Sequence, residues 1–462
     1  MSIKVNLYNT AIRLKEEFKP ITEGKVGIYS CGPTVYWSPH VGNMYAYLFN
    51  DILVRSLRYL GYEVKRVMNI TDVGELASSG EDKMEKGAIR EGISVWDVAK
   101  KYEQEFFESS EALNIEKPEV VCRATEYIKE QIDLIKRIES NGFTYVIDDG
   151  VYFDTSKFVD YAKFARLKLD EQIDTDRDDI SRQKRNKSDF ALWKFSPKDR
   201  KREMEWDSPW GKGFPGWHIE CTAMSVKNLG EVFDIHTGGI DHIPIHHSNE
   251  IAQGFGAFGH QTANYWIHNG FLTGPGGRKI SKSEGGLYTV AQLIEMGYDP
   301  LWYRYQFLTS HYRKGIEFSL DSLKSSQVAL NKLREKINQW PDGGVVNETY
   351  KSQFIEKLAD DLATPEALAL VWKLVKDETV SHEDRKATIL DFDRVLGLKL
   401  DQYNYSIKEE VPEEIETLME ARTKARSEKN WAESDRLRDE IKSKGWEVED
   451  TPQGPKANKL TD

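Results

Sequence analysis

A strand, a tight turn, a helix and a second strand follow one another within the first 70 residues. That succession restricts the fold more than any other feature of the chain. Lys25-Val-Gly-Ile-Tyr-Ser30 is an apolar run with the length of a buried strand. After Gly32-Pro33, His40-Val-Gly42-Asn43 opens a segment in which Tyr45, Leu48, Phe49, Ile52, Leu53, Leu57 and Leu60 recur at helical spacing. Gly61 stands where a C′ glycine ends a helix. Glu63-Val-Lys-Arg-Val-Met-Asn-Ile70 reads as the next strand. A strand–helix–strand unit of this length is a crossover, so its two strands lie parallel in one sheet.

The sheet pattern is then interrupted. Residues 94–145 read as mostly helical, Gly150–Asp154 as a short strand, Asp170–Asp179 as an acidic loop, and Arg182–Lys187 as a basic run. Strand-like runs resume at Glu231–Ile235 and Asn264–Leu272. Residues 320–400 read as helical, with Leu323, Val328, Leu330, Leu333 and Ile337 on one side. A linker is expected near Lys408–Pro412, two helices over Glu413–Lys444, and a small β element over Gly445–Lys456.

A chain of 462 residues is expected to hold three or four domains. No apolar run approaches the roughly 20 residues that span a bilayer, and Met-Ser-Ile-Lys-Val-Asn lacks the apolar stretch of a signal peptide. Three cysteines exclude a disulfide scaffold and suit a reducing cytoplasm, the expected location. A net charge of −12 argues against a generally basic nucleic-acid binder, while leaving room for a local basic track.

Two segments suit phosphate. A helix starting near His40-Val-Gly-Asn43 offers free N–H groups and a positive dipole end. Gly42 lets a ligand approach the backbone, and His40 can donate to oxygens on which charge develops. Further on, Gly274-Pro-Gly-Gly-Arg-Lys-Ile-Ser-Lys-Ser-Glu-Gly-Gly286 sets Arg278, Lys279 and Lys282 between glycines, so that three cations can face a triphosphate. Neither segment is a P-loop. Taken alone, each also reads as an ordinary turn or a solvated basic loop. Cys31, Cys221, His246 and Glu250 form a donor set that suits Zn²⁺, and a helix would put His246 and Glu250 on one face. With no Cys-x-x-Cys, spacing alone does not separate this from two buried thiols and a surface helix pair. Cys122 is read as structural.

These stretches together resemble a class I aminoacyl-tRNA synthetase. His40-Val-Gly-Asn43 is similar to the HIGH motif of that class, and Lys279-Ile-Ser-Lys-Ser283 to its KMSKS motif. Within the class the resemblance is to the cysteinyl-tRNA synthetase family. It is carried by Tyr29-Ser-Cys-Gly-Pro-Thr-Val-Tyr36, Asn69-Ile-Thr-Asp72, Asp189-Phe-Ala-Leu-Trp-Lys194, Trp206–Gly213, Gly216-Trp-His-Ile-Glu-Cys221, Asp234-Ile-His236, His246-His-Ser-Asn-Glu250, His268-Asn-Gly-Phe271 and Ser310-His-Tyr-Arg313. Ser248 and the stretches 73–83 and 240–245 depart from the family's usual pattern.

The resemblance implies a Rossmann-like α/β fold with a parallel-sheet catalytic domain and an insertion, then an α-helical bundle and a small C-terminal α+β module. The division it implies is 1–118 for the first catalytic half, 119–215 for a connective insertion, and 216–272 for the second half. The KMSKS loop and stem-contact region then take 273–320, the helical bundle 321–405, and an anticodon-end module 406–462. It implies one zinc on Cys31, Cys221, His246 and Glu250, and a cysteine pocket shaped by Thr71, Trp217 and His236. ATP contacts are implied for His40, Gly42, Asn43, Gly238, Gly239, Asp241 and Lys282, with His40, Asn43, Lys279 and Lys282 catalytic and Mg²⁺ on the phosphates. The implied reaction activates L-cysteine with ATP and transfers it to tRNA(Cys), in a cytoplasmic monomer with no membrane partner. Arg422, Arg426, Arg436 and Arg438, with Trp446 as a base-stacking group, are expected to meet the tRNA. A ligase joining cysteine to an amino sugar, a zinc hydrolase and a non-catalytic tRNA binder are the alternatives.

Overall fold

The crossover unit folds as its spacing predicts. In the computed structural model, which describes residues 4–73, 82–166, 183–198, 201–277, 287–402, 412–451 and 454–459, a hairpin of β1 (Asn6–Asn9) and β2 (Leu14–Glu17) comes first. β3 (Lys25–Ser30), α1 (Val41–Tyr59) and β4 (Glu63–Ile70) follow, and β3 and β4 pair in parallel from Lys25↔Glu63 to Ser30↔Met68. The helical stripe of α1 turns inward: Tyr45, Leu48, Phe49, Ile52, Leu53 and Leu57 are all buried. Full burial of each such side chain stabilises by about 1.5–3 kcal/mol. The helix ends at Gly61, whose φ of +97° favours a residue without Cβ, and whose N–H bonds the Arg58 carbonyl at 3.0 Å.

The stretch 94–145 is less helical than its pattern suggests. After α2 (Lys83–Glu91) and α3 (Val95–Ala112) the chain turns at Asn114, with φ +54°, and then forms β5 (Val120–Arg123), which pairs in parallel with β4. Pro118 breaks the helical run, and the β-branched Val120-Val121 suits a strand. Cys122 is buried there, its Sγ 3.4 Å from the Met68 carbonyl, which is the structural role expected of it.

α4 (Ile128–Ser140) leads to a four-stranded antiparallel sheet of β6 (Thr144–Ile147), β7 (Gly150–Phe153), β8 (Phe190–Phe195) and β9 (Gly213–Pro215), in that order. Its own core packs Ile135, Val151, Phe153, Leu192 and Trp193. The acidic loop 170–179 and Arg182 lie outside the described residues. The parallel sheet resumes with α5 (Trp217–Leu229), β10 (Phe233–Gly239), α6 (Ser248–Phe258) and β11 (Ala263–Asn269). β10 thus begins at Phe233 and runs four residues beyond the expected Ile235. The run expected over 264–272 is cut at Gly270, whose N–H turns to the Tyr312 carbonyl at 2.8 Å, and continues as β12 (Leu272–Thr273).

β12 pairs with β13 (Ile316–Glu317), and α7 (Val290–Glu295) and α8 (Pro300–Leu308) lie between them in sequence. α9 (Leu320–Gln339), α10 (Glu348–Ala359), α11 (Thr364–Val375) and α12 (His382–Leu396) form the helical region. Leu323, Leu330, Leu333 and Ile337 are buried in α9, but Val328 is 69% exposed, since its position falls on the opposite side from Leu330.

The chain divides into two units, Met1–Asp401 and Gln402–Asp462. The second comprises α13 (Glu413–Ser427), α14 (Trp431–Ser443) and a hairpin of β14 (Trp446–Thr451) and β15 (Gly454–Lys459). Its core is Ile415, Ile441, Trp446 and Val448. Trp446, expected to offer a stacking face, is 7% exposed because it is the largest member of that small core, and Arg422 is buried as well. Residues 403–411, which include most of the expected linker, lie outside the described set.

The order of the central sheet is β11-β10-β3-β4-β5. From β3 the chain winds outward through β4 and β5, then returns to the other side of β3 for β10 and β11. The carboxyl ends of β3 and β10 therefore border the crevice at which doubly wound sheets bind ligands.

Candidate active site

The crevice is a cleft of about 430 Å³. Its walls are the loops that leave β3, β4, β10 and β11. Cys31, Gly32 and Trp37 follow β3, Thr71 follows β4, Gly238, Gly239 and Asp241 close β10, and Asn269 to Leu272 close β11. His40, Gly42 and Asn43 from the start of α1 and Trp217 and Cys221 from α5 complete it, with His246 beside them. The sheet thus brings together residues separated by more than two hundred positions.

The loop after β3 is laced to its neighbours. Gly32 N–H donates to Asn69 Oδ1 at 2.8 Å, Val35 N–H to the Thr71 carbonyl at 3.1 Å, and Thr71 N–H to the Pro33 carbonyl at 2.9 Å. A Cβ on Gly32 would fall 1.6 Å from the Asn69 carbonyl oxygen, so only glycine fits there. Asn69 also donates through Nδ2 to Thr71 Oγ1 at 3.0 Å, which fixes the hydroxyl that faces the cleft.

His40 caps α1. Its Nδ1 accepts from Asn43 N–H at 3.2 Å, and its own N–H donates to Asn43 Oδ1 at 3.2 Å. With Nδ1 accepting, the neutral ring carries its proton on Nε2. Val41 N–H donates to the Tyr288 carbonyl at 2.9 Å, and His40 bridges to Thr289. The strand of backbone leaving the lysine-rich segment is therefore pinned to the helix N-terminus. Arg278, Lys279 and Lys282 lie outside the described residues.

At the deep end, one ligand atom each from Cys31, Cys221, His246 and Glu250 lie within 4.8 Å of one another, all on buried residues. The sequence places Cys221 one turn into α5. His246 is the penultimate residue of a single π-helical turn, Ile243–His247, that leads directly into α6, so the i,i+4 pairing with Glu250 holds although the turn is wider than an α-helix. Glu250 Oε1 comes to 3.1 Å from His246 Nε2 yet makes no hydrogen bond. A buried carboxylate oxygen without a donor, beside a nitrogen and two thiols, fits a cation held among them. The charges agree. The hydrogen bond from Cys31 holds the Cys221 thiol down at about 6, while burial holds Cys31 up. Burial opposes charge on both His246 and Glu250. The Cys221 thiolate and Glu250 nevertheless push His246 up to about 10, and His236 and His246 push Glu250 down to about 2.

Behind these four lies a second set, Cys31, His236, His247 and Glu250, that meets the same distance criterion and shares two members with the first. His236 does not line the cleft. It is fully buried, with Nε2 2.9 Å from Glu250 Oε2. His247 Nε2 lies 3.3 Å from Cys31 Sγ, His247 Nδ1 2.7 Å from His268 Nε2, and His268 Nδ1 2.8 Å from Thr10 Oγ1. On the opposite side His218 Nδ1 is 2.9 Å from His246 Nδ1. Burial holds His218, His247 and His268 well below the usual imidazole range, so all three are neutral. Gly238 gives this cluster room, since a Cβ there would fall 2.7 Å from both His242 Nδ1 and His247 Cε1. Sequence reasoning assigned no role to His218, His247 or His268. The signal was present in the density of histidine: six of the ten, at 218, 236, 242, 246, 247 and 268, join one cluster of ring contacts.

Residues 17–328 match the family model described as tRNA synthetases class I (C) catalytic domain, and residues 408–455 match a cysteinyl-tRNA ligase anticodon binding domain. Cysteine–tRNA ligase 1 of Burkholderia lata is 49% identical over 451 residues, covering 97% of this chain and 95% of its own length. Cysteine–tRNA ligase of Treponema denticola is 43% identical over 485 residues, covering 97% and 98%. Among solved structures, Mycobacterium tuberculosis methionyl-tRNA synthetase in complex with methionyl-adenylate aligns with a TM-score of 0.55 at 17% identity, over 81% of this chain and 90% of that one, a likeness of fold.

Proposed function

This chain belongs to the cysteine–tRNA ligase family of class I aminoacyl-tRNA synthetases, and from that premise we propose how its cleft carries out the two steps of the ligase reaction. Cysteine attacks the α-phosphorus of ATP through its carboxylate, forming cysteinyl-adenylate and releasing pyrophosphate. A terminal ribose hydroxyl of tRNA(Cys) then attacks the activated carbonyl and releases AMP. The observation that carries this reading is the meeting, in one cleft, of a thiol-rich metal-binding set and a helix N-terminus capped by His40.

The metal set is assigned to zinc. Two sulfurs, one imidazole and one carboxylate form a soft, closed donor set that suits Zn²⁺ better than a hard cation. Bound there, zinc supplies a soft Lewis acid that prefers a thiolate to a hydroxyl. This matters because serine differs from cysteine by one atom, and small differences in fit are worth only about 1–3 kcal/mol. Thr71 and Trp217, on the cleft wall, are assigned to the cysteine substrate. His236 supports them from behind by orienting Glu250. The Gly238–Asp241 turn is assigned to the adenosine, where Gly238 and Gly239 keep the backbone accessible.

In the first step the protein positions and stabilises charge. His40, its Nδ1 occupied by Asn43, would donate from Nε2 to the phosphate, with the N–H groups of the first turn of α1 beside it. Lys279 and Lys282, with Arg278, are assigned to the same triphosphate, and Mg²⁺ to its oxygens. The anticodon-type module at the C-terminus favours a tRNA acceptor over a small amine. Three free thiols suit a reducing cytoplasm.

The decisive experiment is ATP–pyrophosphate exchange with each amino acid in turn, followed by charging of tRNA(Cys). Exchange that depends on cysteine and is at least about a hundred-fold weaker with serine is expected. Equal exchange with serine, or exchange without charging, would sink the assignment.

A further inference from the structure

We propose that Trp37, clamped by Arg90, is the stacking platform for the terminal base of the tRNA acceptor strand. The inference rests on the ligase reading above and extends it to a residue of the transfer step.

Trp37 belongs to the loop between β3 and α1, three residues before His40, and it lines the cleft while remaining 41% exposed. A single exposed indole on a protein surface is ordinary. An indole exposed inside a reaction cleft and held rigid is not. The Arg90 guanidinium carbon lies 3.8 Å from the Trp37 ring centroid. That guanidinium is itself fixed: Nη2 donates to the Tyr36 carbonyl and to Tyr102 Oη, each at 2.9 Å, and Nε donates to Glu91 Oε1 at 3.0 Å. Glu91 is held in turn by Tyr102 Oη at 2.7 Å and Lys101 Nζ at 2.6 Å. The arrangement orders a flat aromatic surface before any ligand arrives, which lowers the entropy cost of stacking on it.

The position of the platform selects the base. The adenosine of ATP is assigned to the β10 side of the cleft, at Gly238–Asp241. The Trp37 loop is joined instead to the β4 side, through Val35 N–H to the Thr71 carbonyl and through Arg90 of α2 to Tyr36. Lys83, also of α2, lines the cleft there. An aromatic face beside two cations is the chemistry that holds a single-stranded nucleotide, whose base stacks while its phosphate meets positive charge. The nucleotide that must enter this cleft besides ATP is the one whose ribose accepts cysteine.

The test is a cycle between enzyme and RNA, on the full-length protein. Wild type, Trp37→Ala, Trp37→Phe and Arg90→Gln are loaded with adenylate, and single-turnover transfer is measured to tRNA(Cys) and to the same tRNA with its last nucleotide lacking the base. Removing the base should slow wild-type transfer by about ten-fold or more, the scale of one aromatic–base stack. In Trp37→Ala the intact tRNA should be slowed by a similar factor, and removal of the base should then cost less than about three-fold. Trp37→Phe should keep most of the wild-type penalty, and Arg90→Gln a part of it. A penalty for base removal as large in Trp37→Ala as in wild type overturns the proposal. So does an increased KM for ATP in exchange with transfer unaltered, which would put the adenine of ATP on Trp37. If the alanine variant does not fold, the phenylalanine and Arg90 variants carry the same comparison, and a penalty unchanged in Arg90→Gln with transfer at the wild-type rate counts against it. Absence of cysteine-dependent exchange in the wild type would remove the ligase reading itself, and this inference with it.

Discussion

His246 is oriented from behind by a residue that never reaches the cleft wall. Its Nε2 faces Glu250, and its Nδ1 meets His218 Nδ1 at 2.9 Å. For one proton to lie between the two Nδ1 atoms, His246 donates and His218 accepts. That leaves His246 Nε2 as the lone pair available to a metal, the arrangement in which an outer hydrogen bond fixes a ligating imidazole. His218→Ala is therefore expected to weaken zinc binding by about 10–100-fold, read by competition with a chromophoric chelator. Unchanged affinity would show that packing of the ring against Trp217, with centroids 4.4 Å apart, orients His246 without help.

Between elements, the carboxyl ends of β4 and β5 are tied by one carboxylate. Asp72 accepts from Thr125 N–H at 3.0 Å and from Thr125 Oγ1 at 2.6 Å, just beyond Arg123. Burial raises its pKa to about 6 in spite of those bonds. An acid whose folded pKa lies above its unfolded value contributes no penalty below the unfolded value. The native state then loses stability as pH rises through about 6. The ionised form costs up to about 3 kcal/mol at pH 7.5, taking about two pKa units at 1.36 kcal/mol each. Asp72→Asn, which keeps an acceptor for Thr125, should raise the unfolding temperature at pH 7.5 and leave it unchanged near pH 4. Equal stabilities at pH 7.5 would mean that the two bonds from Thr125 outweigh the burial.

Across the whole chain, the two units have separate cores. Every member of the cluster around Ile415, Ile441, Trp446 and Val448 comes from the second unit, and the cleft is built wholly from the first. Removing residues 402–462 should leave the first unit folded, with cysteine-dependent pyrophosphate exchange within about two-fold of the full chain, while charging of tRNA(Cys) falls by at least about ten-fold. Full-rate charging by the folded truncation would overturn the anticodon role. Among the described residues of that unit, the exposed aromatic is Trp431, at 58%, rather than Trp446. Sequence could not distinguish them, because Trp431 opens a helix and Trp446 a strand, each beside a polar residue, and only packing reveals which one a four-residue core consumes. Local periodicity was enough for β3, α1 and β4, since hydrophobic spacing and a C′ glycine act over a few residues. It failed at Val120–Arg123, where a strand of four residues becomes a strand only by pairing with β4. The donor types at Cys31, Cys221, His246 and Glu250 were legible one by one, as was the family pattern that joins them. Their convergence within 4.8 Å, the second ring of histidines and the buried place of His236 were decided by the tertiary structure alone. Those distances depend on which strand ends the parallel sheet brings side by side, and the order β11-β10-β3-β4-β5 is a long-range result that no window of sequence contains.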